Sequence, residues 1–291
     1  MPPEPAVPSK KHLLPSSCPL SRRNKFSVAR ESLYRIARTA YIRILSLNAE
    51  VVVSKEMNAI EQKLAIWKES LIPSIPLGGL YSRNPVVYKW KAPFRAWMLR
   101  EAVFWRLHDL MTQSYSLYQQ GHGLGARILL RSGFESLATL IYLNQKIRQV
   151  LDGKLDFHAF CDKTSTLLLG SRDDSTKYKS INIITVLEQC DKRYPGLSRI
   201  YGVLSESAHP NYKGLMDGYS SVDHDEYETH FSNRWMTLHG ASHLDSMELC
   251  MATFHHEYNE VWPKLMGQLE VWIEANDAKL EATKNDRRPA L

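Results

Sequence analysis

Cysteine is scarce in this chain and never paired. Cys18, Cys161, Cys190 and Cys250 are far apart and form no CxxC, which argues against a zinc ribbon or a disulfide framework and leaves reduced thiols as the expectation. Long apolar runs are also missing. The longest strongly apolar stretch, "LATLIYL" (Leu137 to Leu143), falls far short of the roughly 18 residues a membrane span needs. The opening segment, "MPPEPAVPSKKHLLPSSCPLSRRNK", places prolines where a signal peptide requires an unbroken apolar core. A cytoplasmic protein with no membrane association is expected. There is no convincing period-two strand pattern, no internal repeat and no HExxH.

A strong charge imbalance is absent from the body of the chain. The net charge is +6, but Lys10, Lys11, Arg22, Arg23 and Lys25 against Glu4 place +4 of it in residues 1–25. The remainder is nearly neutral and does not by itself demand a nucleic-acid partner. Residues 1–25 also hold six of the fourteen prolines, so they read as a disordered, basic, Pro-rich arm. Such an arm supplies either weak, salt-sensitive phosphate attraction or solubility.

What is present is helical periodicity. From Phe26 to Ile72 there is neither glycine nor proline, and Leu33, Ile36, Ala37, Ala40, Tyr41, Ile44 and Leu45 recur at helical spacing. This predicts one long helix, or two joined near "EVVVSKE". "PSIPLGGLYSRNP" reads as a loop. Helices follow over about 92–120 and 126–151, divided by "GHGLG" and so antiparallel. Shorter helices are predicted at 156–169, 178–193 and 196–208. A last long helical region opens at "DHDEYETHFSNRW", where Pro263 should kink or divide it. The fold class is therefore all-α, a multi-helix bundle with long N- and C-terminal helices around a central helical hairpin. The expected organisation is an arm at 1–25 and a single helical domain at 26–281, with 26–72 as an N-terminal helical arm and 92–281 as the bundle. A frayed tail covers 282–291.

The helix "ARILLRSGFESLATLIYLNQKIRQVL" carries charge in an otherwise apolar surround. At about 100° per residue Arg127, Arg131 and Glu135 form one stripe, with Phe134, Ala138 and Tyr142 within or beside it and leucines on the other sides. A helix apolar nearly all round is a buried one, and buried ions need partners or a use. One reading is an i,i+4 ion pair between Arg131 and Glu135. The other is a polar pocket in which the arginines bind an anion and Glu135 orients one of them. Gly133 adds that something packs closely against this helix.

The second feature is "YGVLSESAHPNYKG", Tyr201 to Gly214. Together with "RILLRSGFESLATLIYL" it resembles uncharacterised bacterial all-α proteins of the HEPN-like type, helical domains of toxin and antiviral-defence ribonucleases. The resemblance covers about residues 95–265. It implies metal-independent endoribonuclease chemistry on RNA, in which a histidine handles protons, an arginine steadies the phosphate and a homodimer brings two motifs together. On this reading His209, Arg131 and Glu135 are the catalytic candidates, and Arg127, Asn211 and Lys213 contact substrate, with neither cofactor nor metal.

The pattern departs from that family at one point. The positions four to six residues ahead of His209 carry no arginine, and Arg199 lies roughly 15 Å back along a continuous helix, so Arg131 would have to act from the neighbouring helix. Without the resemblance His209 reads as the cap of a helix ended by Pro210. The alternative function is a non-catalytic helical interaction module that binds a nucleotide, RNA or a partner protein through the same polar pocket.

Other residues complete the candidates. "RWMTLH" gives Arg234 and His239 the family's spacing, although helix pitch sets them about 140° apart. Seven of the eleven histidines lie between 209 and 256. Of these, His239 and His243 share a face at i,i+4 with Asp245 and Glu248 nearby, a minority metal reading. The acidic "DHDEYETH" suits a helix N-terminus. "GHGLGARILLR" looks superficially like a glycine-rich phosphate loop, but no strand precedes it and no GK[ST] follows.

Overall fold

The computed structural model describes residues 49–284, with side chains from residue 59. The chain divides between Val52 and Val53 into two units, and the following account concerns the second. The basic arm at 1–25, the predicted helix over 26–48 and residues 285–291 lie outside the described residues. Among the described residues the architecture is all-α, as the periodicity predicts, with one two-stranded hairpin.

The first described helix is α1, Ala49–Ser70. The stretch expected as a loop, Pro73 to Pro85, contains one short helix, α2 (Leu77–Arg83), and ends where a second, α3 (Pro85–Tyr88), begins. Asn84 starts α3 by accepting the Val87 amide at 3.1 Å, and Pro85 takes the first turn, where its missing N–H costs nothing.

The central hairpin is α4 (Lys91–Gln119) and α5 (Gly123–Leu151). Gly121 adopts φ 79°, a conformation that glycine reaches without steric cost. This lets the Gly121 amide bond the Tyr118 carbonyl at 3.0 Å and the His122 amide the Leu117 carbonyl at 2.8 Å, a Schellman closure. Helices α6 (Phe157–Leu169), α7 (Ile183–Asp191) and α8 (Leu197–Ala208) follow. The first two are capped by Asp156 and Asn182 through their side chains.

Helix α5 is the centre of the unit, packing against α4, α6, α7, α8, α9 (Trp235–His256) and α10 (Trp262–Thr283). Its Leu130, Leu137, Leu140, Leu143 and Ile147 are fully buried.

The last helical region begins later than the acidic run suggested. "DHDEYETH" contributes to a hairpin instead, with β1 (Ser220–Asp223) antiparallel to β2 (Glu228–Phe231) and Ser220 opposite Phe231. Asp223 accepts the amides of Asp225 and Glu226 at 2.9 and 3.0 Å, so its carboxylate closes a turn where it was expected to precede a helix. Both strands are only four residues long and mostly exposed, so they carry no apolar alternation that a sequence reading could detect.

Pro263 divides the region as anticipated. It sits in the first turn of α10, and a π-turn over Glu257–Val261 joins α9 to α10. Proline lacks the amide that would continue the ladder. The widened turn points Glu257 into the interior, where it is 0% exposed. Its Oε1 accepts from Arg193 Nε at 2.7 Å and the Tyr194 hydroxyl at 2.5 Å, and Oε2 accepts from Asn144 Nδ2 at 2.7 Å.

One carboxylate thus ties the π-turn to α5 and to the segment entering α8. Removing one partner of a buried pair strands the other charge, at about 3–5 kcal/mol. Glu257→Ala is expected to lose stability on that scale in urea denaturation followed by circular dichroism. An unchanged midpoint would contradict this role.

Candidate functional site

The charged stripe of α5 faces α8. Arg131 and Glu135 form the expected i,i+4 pair, 3.3 Å apart, but the pair belongs to a larger network. The Tyr201 hydroxyl donates to Glu135 Oε1 at 2.9 Å and accepts from Arg131 at 2.5 Å. Arg131 Nε donates to the Ser205 hydroxyl at 2.8 Å, and its guanidinium lies 4.9 Å from the Tyr201 ring centroid. Arg131 is therefore neutralised and engaged on several sides, so it reads as a stitch between α5 and α8.

Arg127, one turn earlier, is different. It is 3% exposed, donating from Nε to the Ser207 hydroxyl at 2.8 Å and, more weakly, from Nη2 to the Val203 carbonyl at 3.4 Å. Among the described residues no carboxylate pairs with it. Burial alone pulls its pKa down to about 10, still far above neutrality, so the group is cationic at pH 7.

Arg127 lines a narrow cleft, too tight to hold a water molecule, between α4 and the starts of α5 and α9, with His239, His243, Tyr118, Trp235 and Met236 around it. Gly123 and Gly240 complete the wall. A Cβ on Gly123 would come within 3.0 Å of the Trp235 Cβ, so the first residue of α5 must be small for α9 to approach.

The tautomer of His243 follows from its partners. The Ser114 hydroxyl is 2.8 Å from the Ala126 carbonyl and 3.2 Å from His243 Nε2. A carbonyl only accepts, so the single hydroxyl proton goes to Ala126, and Nε2 must carry a proton that it donates to Ser114. Nδ1 is then a bare lone pair, and it has no partner although buried. The ring stacks on Tyr118, 5.4 Å between centroids at 10°. Burial, then the Arg127 charge, push the His243 pKa down to about 4. His239 is lowered too, by burial first and then by Arg127 and Lys213, with Asp217 acting in the opposite sense. Both imidazoles are neutral at pH 7 beside an unneutralised guanidinium.

The remaining sequence candidates lie elsewhere. His209 is the exposed C-cap of α8, in extended backbone, and among the described residues no hydrogen bond or ion pair joins it to an arginine. Its carbonyl accepts the Asn211 amide at 2.8 Å. Asn211 in turn accepts the Gly214 amide at 3.0 Å and donates to Glu206 at 2.7 Å, so it organises the turn after the helix. Lys213 starts a π-turn over Lys213–Asp217. The structure thus brings Arg127 and the charge of Lys213 to His239, holds Arg131 with Glu135, and leaves His209 at the surface.

Arg234 precedes α9 and donates to the carbonyls of Asp217 and Ser220. It anchors the hairpin, while His239 packs on Trp235 at 5.5 Å. No cluster of three or more His, Cys, Asp or Glu suited to a metal occurs among the described residues, and no helix among them is long and apolar enough to cross a membrane. Tyr201, Ser205 and Ser207 were not singled out from sequence. Their signal was a polar stripe on α8 complementary to that on α5.

A histidine depressed by burial is protonated more readily in the unfolded chain, so its contribution is complete above about pH 6.5 and is lost as pH falls toward about 4. The loss from His243 is on the order of 3 kcal/mol. Urea denaturation between pH 7 and pH 4 should show this decline, reduced in His243→Gln. Equal slopes for the two proteins would contradict the assignment. No family model, curated protein or solved structure matches this chain, so the functional reading rests on the residues of the cleft.

Proposed function

We propose that this chain is an RNA-binding helical protein of the HEPN-like kind, and that it holds phosphate at the Arg127 cleft. The observation that carries this reading is a buried guanidinium with no carboxylate partner. An uncompensated buried cation is costly, and a phosphate oxygen is the natural complement of a guanidinium with donors to spare. Two neutral imidazoles add no competing negative charge, and the nearby Lys213 and Asp217 carry opposite charges beside His239, so Arg127 is the group that attracts an anion. Arg131 is a poorer candidate for the same task because Glu135 and Tyr201 already occupy it.

Metal-independent RNA cleavage is the second reading, favoured by His239. A neutral imidazole beside a phosphate-binding arginine can take the proton of a ribose 2′-hydroxyl as that oxygen attacks phosphorus, the P–O5′ bond breaks to leave a 2′,3′-cyclic phosphate, and the departing 5′-oxygen takes a proton from water. Here His239 would fill the role that the sequence resemblance gave to His209.

Fluorescence anisotropy with a labelled single-stranded RNA tests the binding. Arg127→Met should weaken affinity at least tenfold, while keeping stability within about 1 kcal/mol because it also removes an unpaired buried charge. Arg131→Met should weaken binding far less. Equal affinity of the parent and Arg127→Met would overturn the proposal. Incubation of the same RNA with the parent and with His239→Gln, resolved on a denaturing gel, decides the second reading. Intact RNA with the parent removes the nuclease and leaves the binding protein.

A further inference from the structure

We infer that Lys146, Lys163 and Lys192 form a second phosphate site, where α6 and α7 meet α5, and that it grips the backbone of a bound RNA. This rests on the RNA-binding reading and extends it to a contact that Arg127 does not supply. Nineteen residues separate Lys146 from Arg127, about 28 Å along α5, so the two places are distinct.

Convergence of cations is the first support. Helices α6 and α7 both pack on α5, and each brings one lysine toward Lys146. Gln189 marks the junction with α7. Its carbonyl accepts from Gln145 Nε2 at 3.0 Å, and its side-chain oxygen accepts from Lys192 Nζ at 3.2 Å. Lys146 is 9% exposed, with Nζ 4.5 Å from the Tyr142 ring centroid and 3.0 Å from the Gln149 Oε1 to which it donates. Burial first, then the charges of Lys163 and Lys192, lower its pKa, while Cys190 acts in the opposite sense. Among the described residues none of the three lysines forms an ion pair.

Placement and donor count are the second support. A cation at a helix C-terminus complements the carbonyls there, which accounts for Lys192, the C-cap of α7. It does not account for Lys146 and Lys163, which lie inside α5 and α6. Desolvation of Lys146 and repulsion among the three cost stability unless an anion offsets them. An ammonium has three donors. Gln149 and Gln189 take one each from Lys146 and Lys192, which steadies both heads without neutralising them and leaves protons for a ligand. Lysine binds phosphate as a point charge, and a strand offers one phosphate after another to separate point charges. Lys192 is exposed and Lys163 half-buried, so a strand reaches them from the surface and no cavity has to admit it.

The test reads the salt dependence of RNA binding by anisotropy. Each lysine–phosphate contact on a single strand adds about −0.7 to the slope of log K against log[NaCl]. Lys146→Met/Lys163→Gln/Lys192→Gln should therefore make the slope shallower by about 2. Lys163→Gln/Lys192→Gln leaves the buried lysine in place, so it does not disturb the core, and should make the slope shallower by about 1.4. Lys68→Gln/Lys264→Gln/Lys279→Gln removes the same charge from exposed positions elsewhere and should leave the slope nearly unchanged. Inorganic pyrophosphate, titrated by calorimetry, separates the sources of phosphate. A shallower RNA slope in the site variants assigns the lysines to the strand. Pyrophosphate binding lost in those variants, with the RNA slope unchanged, assigns them to a small polyphosphate. Both results support a phosphate site. Slopes and pyrophosphate binding that match the charge control would overturn the inference and leave RNA binding standing. A parent that binds pyrophosphate through these lysines but no RNA would remove the RNA reading alone, and a parent that binds neither would remove both.

Discussion

Ionised side chains placed on a helix packed along most of its surface constrain everything else in this molecule. Helix α5 sits at the centre of the bundle, and Arg127, Arg131 and Glu135 must be accommodated there. Burying ions without compensation is too costly to be incidental, so α8 must present hydroxyls and a carbonyl to them. Tyr201, Ser205, Ser207 and the Val203 carbonyl meet that demand. The two arginines then diverge. Arg131 reaches a carboxylate one turn away and becomes part of the scaffold. Arg127 is compensated only by neutral groups and keeps its charge.

Helix periodicity, the Gly-rich break between α4 and α5, and the division of the last helix by Pro263 were legible in the sequence because they depend on residues close together in the chain. The β1–β2 hairpin was not. Its strands are too short and too exposed to alternate, and Asp223 closes its turn through local hydrogen bonds that look the same in sequence as an acidic helix start. The Glu257 network was invisible for a different reason. Its partners come from α5, the α7–α8 connection and a π-turn, and only the packed structure brings them together.

The site was legible in part. The stripe of Arg127, Arg131 and Glu135 marked the face of α5 that packs against α8, and the charge of Lys213 reaches His239. His209 carried the motif of the family resemblance, yet it caps α8 at the surface, where Pro210 and the turn through Asn211 and Gly214 explain its position. The histidines beside Arg127 are His239 and His243. Their i,i+4 spacing looked like a metal pair, whereas burial and Arg127 hold both neutral. Arg234 precedes α9 and is held by the Asp217 and Ser220 carbonyls, and no local pattern could reveal that Arg127, more than a hundred residues earlier, is the arginine whose charge acts on His239.

The central claim is that the Arg127 guanidinium stays charged, unpaired by carboxylate and open to a phosphate. Side-chain NMR of ¹³C,¹⁵N-arginine-labelled protein, with Arg127 assigned by its loss in Arg127→Met, observes that group directly. The account predicts a protonated guanidinium at pH 7 whose Nε and Cζ resonances move when single-stranded RNA is added, while those of Arg131 stay nearly still. An Arg127 signal unmoved by the RNA, with Arg131 shifting in its place, would contradict it.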